Sequence, residues 1–186
     1  MPISFTPDET RLLVVEDFKD VSILNLARPD RLEPLLHSEF NEWLAAVSPD
    51  GNWIAYESNE SGDRIEIFLR PFPNVSGRRE KVSIDGGRYP LWGPKGSSEL
   101  FYVDLKGGMM AASVKLSPSL TLGRVTKLFD WEIPPRGPAG MPYDVSPVDG
   151  RFLMTINSAT EGSGGVINIS VVLNWFEELK RLVPTD

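Results

Sequence analysis

Hydrophobic and polar positions alternate along this chain in one recurring arrangement. A short strand-like run meets a turn built on Pro with Asp or Gly, and a second, more apolar strand follows. The first copy is Ile3-Ser4-Phe5-Thr6-Pro7-Asp8 before Arg11-Leu12-Leu13-Val14-Val15. The second is Ala46-Val47-Ser48-Pro49-Asp50-Gly51 before Trp53-Ile54-Ala55-Tyr56, and the third is Leu91-Trp92-Gly93-Pro94-Lys95-Gly96 before Glu99-Leu100-Phe101-Tyr102-Val103. The fourth is Asp144-Val145-Ser146-Pro147-Val148-Asp149-Gly150 before Arg151-Phe152-Leu153-Met154. The turn has a physical basis. Pro presets φ for the first corner, Asp bonds its own backbone two residues on, and Gly accepts the positive φ that follows. The first copy lacks the Gly, the third has Lys95 for Asp, and the fourth inserts Val148.

Pro7, Pro49, Pro94 and Pro147 recur at intervals of roughly 42 to 53 residues, the length of a propeller blade or slightly more. The second strands are continuously apolar, as expected of strands covered on both faces by neighbouring blades. Third strands are predicted at 21–26, 65–69 and 109–114, alternating more towards the rim, and outer strands at 33–36, 80–84 and 126–129. The last unit offers a third strand over 166–173 and no fourth. Asn174 caps a helix predicted over 174–183, with Glu177 three residues on as a capping-box variant. Trp175, Phe176, Leu179, Leu182 and Val183 make its apolar face, and Pro184 ends it. The predicted fold is therefore all-β: a partial β-propeller of about four antiparallel blade units with a C-terminal α-helix. The units are approximately 1–40, 41–86, 87–132 and 140–173 of a single domain.

Composition narrows the function classes. The 186 residues are 41% hydrophobic, enough for a sizeable core, and no apolar run reaches the length of a membrane span. Met1–Phe5 has neither a basic start nor an apolar stretch, so no secretory signal is expected, and the compartment is left open. A net charge of −7 opposes nucleic-acid binding. Cys is absent, which removes disulfides and thiol chemistry, and no cofactor or calcium-loop motif is found.

The repeat turns resemble those of TolB-type β-propellers. Ser58-Asn59-Glu60-Ser61-Gly62, Arg70-Pro71-Phe72-Pro73, Val82-Ser83-Ile84-Asp85-Gly86-Gly87 and Val172-Leu173-Asn174-Trp175-Phe176-Glu177-Glu178-Leu179-Lys180 extend the resemblance. Together they look like the C-terminal end of propellers fused behind bacterial serine/threonine kinases. The resemblance implies a sensing or protein-interaction module rather than a catalyst. No Gly-rich nucleotide loop, His-Arg-Asp or Asp-Phe-Gly occurs, so kinase activity does not carry over. TolB-type propellers have six or more blades. About four units imply either the end of a longer protein or a short one that closes differently, and open edges favour a homodimer.

Catalysis finds little support. His37 is the single histidine, and a Ser-His-Asp triad would have to use it. No Gly-x-Ser-x-Gly elbow exists; Glu161–Gly165 reads as a hairpin tip. One His also makes a His-rich metal site untenable, and Glu57, Glu60 and Glu66 read as a solvated rim. No catalytic or metal-ligating residue is assigned. A binding surface is expected where the first strands begin, around the central channel. Its candidates are Asn41, Glu42 and Trp43; Arg88, Tyr89 and Trp92; and Met141 and Tyr143. Aromatics with Arg are frequent interface anchors; for Trp43, Trp92 and Tyr143 the alternative is packing between blades. The runners-up are an accessory propeller of a hydrolase, a carboxylate-based glycan enzyme, and a purely structural role.

Overall fold

The computed structural model describes residues 1–62, 64–131, 140–157 and 167–172. Over these it forms four antiparallel sheets. The first contains β1 (Pro2–Phe5), β2 (Arg11–Glu16), β3 (Asp20–Asn25) and β4 (Leu32–Leu36) in sequential order. The second contains β5 (Glu42–Val47), β6 (Trp53–Ser58), β7 (Glu66–Pro71) and the short β8 (Glu80–Lys81), also in order. β9 (Arg88–Trp92), β10 (Glu99–Val103), β11 (Gly108–Lys115) and β12 (Thr121–Asp130) make the third. β13 (Tyr143–Val145), β14 (Phe152–Asn157) and β15 (Ile167–Val172) make the fourth. The innermost strands touch in sequence: β1 packs on β5, β5 on β9 and β9 on β13. The expected partial propeller is thus present. The predicted helix over 174–183 lies outside the described residues.

The Pro turns link the first and second strand of each blade. In all four, the residue before Pro donates its N–H back to a strand carbonyl: Thr6 to Arg11 (2.9 Å), Ser48 to Trp53 (2.8 Å), Gly93 to Glu99 (3.0 Å) and Ser146 to Arg151 (2.8 Å). Sequence reasoning explained Pro, Asp and Gly but missed the residue ahead of them. The Ser48 hydroxyl donates to Asp50 Oδ1 (2.5 Å) and accepts from the Trp53 N–H (3.0 Å). Thr6 repeats this, with Asp8 Oδ1 at 2.5 Å and the Arg11 N–H at 3.2 Å. At Gly93 the hydroxyl is missing, and a Cβ there would crowd Ser97 Oγ and the Phe101 ring.

The core lies in the seams between blades. Leu13, Val15, Val21 and Ile23 pack on Ile54, Tyr56 and Phe68 between blades one and two. Ala55, Ile67 and Leu69 meet Leu100, Tyr102 and Val114 between blades two and three. Phe101, Val103 and Met109 meet Tyr143, Phe152 and Met154 between blades three and four. In the middle blades β6, β7 and β10 are buried on both faces, β7 included although alternation was expected there, whereas the outer strands β8 and β12 are not. The end blades differ. In β2, Leu13 and Val15 are buried whereas Leu12 and Val14 are half-buried, and in β14 Leu153 is 44% exposed. β12 also begins earlier than predicted, at Thr121, because Leu122 and Val125 pack into the seam between blades two and three.

Candidate functional site

The β2–β3 type hairpin tips and the starts of the first strands lie at one end of the blades. Here Tyr89 has φ +60°, a conformation costly for a bulky side chain. Two groups from other blades hold it there. The Tyr89 N–H donates to Glu57 Oε1 on β6 (2.6 Å), and the Tyr143 hydroxyl on β13 donates to the Tyr89 carbonyl (2.7 Å). One strained residue thus joins blades two, three and four near the axis. Burial, reinforced by the charges of Glu57 and Asp144, pushes the Tyr143 hydroxyl well above its ordinary range, so it stays a donor.

The other candidates, Trp92 apart, are at or beside the starts of β5, β9 and β13. Asn41 is half-buried, and its N–H donates to Asn59 Oδ1 (2.9 Å). Glu42 is only 4% exposed. Its N–H donates to the Lys19 carbonyl (2.6 Å), and its Oε1 accepts from the Ser38 hydroxyl (2.5 Å). Burial raises its pKa above the usual carboxylate range; Ser38 and Lys19 oppose this, while Asp20 and Glu60 add to it. Trp43 is half-buried. Arg88 is half-buried, with Nε enclosed and without an acceptor among the described residues. Trp92 lies at the far end of β9, near the Pro turn, where it packs into a seam and donates from Nε1 to the Ala46 carbonyl (3.0 Å). Met141 and Tyr143 pack at the seam of blades three and four.

Met141 and Tyr143 also line a cavity of about 410 Å³. Ile3 and Ser4 of β1, Leu91 of β9, Pro142, Asp144, and Leu153, Met154 and Thr155 of β14 complete its lining. The cavity therefore lies between the first blade and the last, with β9 of the third beside it. A second cavity of about 310 Å³ lies at the opposite end, between the Pro turns of blades two and three. Asn41, Glu42, Trp43, Arg88 and Tyr89 line neither.

The carboxylates expected on a solvated rim are not there. Glu57 is fully buried, Glu66 nearly so, and the Glu60 side chain is 4% exposed. Glu66 accepts from the Ser83 hydroxyl, the Gly86 N–H (3.0 Å) and Lys81 Nζ (3.4 Å). Glu60 pairs with Arg70 and Arg79 and accepts from the Tyr56 hydroxyl (2.9 Å). The available signal was that Glu57 and Glu66 fall inside otherwise apolar strands.

One grouping was not visible in the sequence. Ser22 Oγ lies 2.9 Å from His37 Nε2, and His37 Nδ1 lies 3.9 Å from Asp20 Oδ2. The order suggests a triad, but Ser22 is fully buried and its one hydroxyl proton goes to Glu16. His37 Nε2 must then donate to Ser22 rather than deprotonate it. Among the described residues, no three His, Asp or Glu side chains converge as metal ligands, and no helix is long and apolar enough to cross a membrane.

No protein-family profile matches the chain, and no curated protein matches it either. Solved structures do. TolB from Acinetobacter baumannii superimposes with a TM-score of 0.60 at 16% identity, over 93% of this chain and 41% of that one. A protein of Agrobacterium tumefaciens assigned as TolB gives 0.54 at 18% identity, over 69% of this chain and 48% of its own. A protein of Bacteroides uniformis assigned as a 6-phosphogluconolactonase gives 0.52 at 14% identity, over 91% and 54%. The chain thus spans about half the length of the structures it matches. At these identities the likeness is one of fold: the chain folds as a β-propeller of the kind found in TolB.

Proposed function

We propose that this chain is a non-enzymatic binding module that takes a segment of a protein partner at the axis end of its blades. The cavity between blades one and four carries the reading. It has the volume of a ligand site, a largely apolar lining and few polar groups. The resemblance to propellers fused behind bacterial kinases supports a sensing role for the same surface. Of the eight candidates, Met141 and Tyr143 contribute directly. Asn41, Glu42, Trp43, Arg88 and Tyr89 are at or beside the starts of β5 and β9 and do not line it.

The competing reading is hydrolysis, and the Ser22, His37 and Asp20 grouping is what favours it. The direction of the Ser22 hydrogen bond and its burial argue against it. Two measurements decide. Selection from a displayed peptide library on the full chain should enrich peptides that shift the Met141 methyl resonance. Ester, peptide and glycoside panels should show no turnover. Turnover abolished by Ser22→Ala or His37→Ala would overturn the proposal.

A further inference from the structure

We infer that the cavity between blades one and four accepts an extended peptide carrying a bulky apolar side chain beside a Lys or Arg; this rests on the binding-module reading. Three observations point to this occupant. The first is shape and lining: Ile3, Leu91, Met141 and Leu153 offer an apolar floor in about 410 Å³, room for one large side chain.

The second is charge. Among the described lining residues Asp144 alone is charged. It is exposed, and no ion pair among the described residues engages it. Among the described residues its Oδ1 accepts the neighbouring Val145 N–H, at 2.8 Å, and no other donor. The lining hydroxyls are already committed: Ser4 donates to the Ala45 carbonyl (3.1 Å) and Thr155 to the Pro142 carbonyl (2.9 Å). The Asp144 carboxylate is thus the polar handle left for a ligand, and a chain of net charge −7 attracts cations to it.

The third is backbone. Among the described residues β1 and β13 are the edge strands of their sheets, each pairing on one side. Both border the cavity, so an extended segment would find strand edges to pair with.

Fluorescence anisotropy on the full chain tests this with three labelled ten-residue peptides. Each carries one Trp, flanked by Lys, by Glu or by Ser. The Lys-flanked peptide should bind at least tenfold more tightly than the Glu-flanked one, with the gap narrowing at high salt. Asp144→Asn keeps the acceptor for Val145 and should remove most of that preference. Leu153→Lys, at an already exposed position, should abolish binding while thermal unfolding stays near wild type. Equal binding of all three peptides, lost in Leu153→Lys, would overturn the charge inference and leave the binding module standing. No binding by any peptide would overturn both. If light scattering then shows a dimer, a second copy fills the cavity instead.

Discussion

At the scale of the residue, backbone strain separates four otherwise similar turns. Gly51 has φ +75°, and a Cβ there would touch nothing within 4 Å. Gly51→Val should therefore destabilise through strain alone, by about 1 to 2 kcal/mol. Copy one meets the same demand with Glu9, at φ +55°. Glu9→Gly should relieve that strain and raise the unfolding midpoint modestly, since part of the gain is offset by the entropy of an unfolded Gly. Urea unfolding of the two variants should move in opposite directions; parallel shifts would refute the strain account. Tyr143→Phe tests the axial knot. It removes the donor to the Tyr89 carbonyl without changing packing, and should cost about 1 to 3 kcal/mol. An unchanged midpoint would mean that the strained Tyr89 does not depend on it.

At the scale of the element, the repeated turn is also an acid-sensitive device. The Thr6 hydroxyl, then the Thr10 N–H, hold Asp8 down to about 2, against an ordinary 3.8. At Asp50, burial pulls upward but hydrogen bonds from Ser48 and Asn52 outweigh it; at Asp149 the Ser146 bond leads a downward shift. A carboxylate depressed in the folded state binds fewer protons there than in the unfolded chain. Its stabilisation is complete above the ordinary value and is lost as pH falls through the folded one. Stability should thus decline as pH drops below about 4 towards 2, and Asp50→Asn should flatten part of that decline. Glu42 works in the opposite sense. Its value is raised above 4.5, so its charge opposes folding at neutral pH. Glu42→Gln keeps an acceptor for Ser38 and should be more stable than wild type at pH 7. The advantage should shrink as pH falls through the raised value and wild-type Glu42 becomes neutral. A constant difference across pH would show that charge is not the cause.

At the scale of the whole molecule, position in the row of blades decides what a side chain contributes. Leu69 lies in a seam covered on both sides and is fully buried. Leu69→Ala should cost about 2 to 5 kcal/mol. Leu153, on the cavity side of blade four, is 44% exposed, and Leu153→Ala should cost less than about 1 kcal/mol. Calorimetric unfolding that ranked the two equally would mean that this side of blade four is covered in solution.

The four-blade pattern was legible because Pro, Asp and Gly impose turn geometry locally, and because apolar strands need no distant partner to be recognised. Gly51 shows this: its positive φ follows from its place in the turn. The sequence could not say which faces are covered. Leu12-Leu13-Val14-Val15 and Leu100-Phe101-Tyr102-Val103 read alike, yet only the second is enclosed on both sides, because blade three has two neighbours. Nor could it separate a rim carboxylate from a buried one. Glu57 became a buried acceptor only when β9 brought the Tyr89 N–H to it, across 32 residues of chain. The same holds for Ser22 and His37, and for the cavity that joins Ile3 to Tyr143. Local sequence determined turns, strands and their repetition, since short-range sterics and hydrogen bonds suffice for these. Burial, strain at Tyr89 and the lining of the site depended on blades meeting through space, and only the tertiary structure decided them.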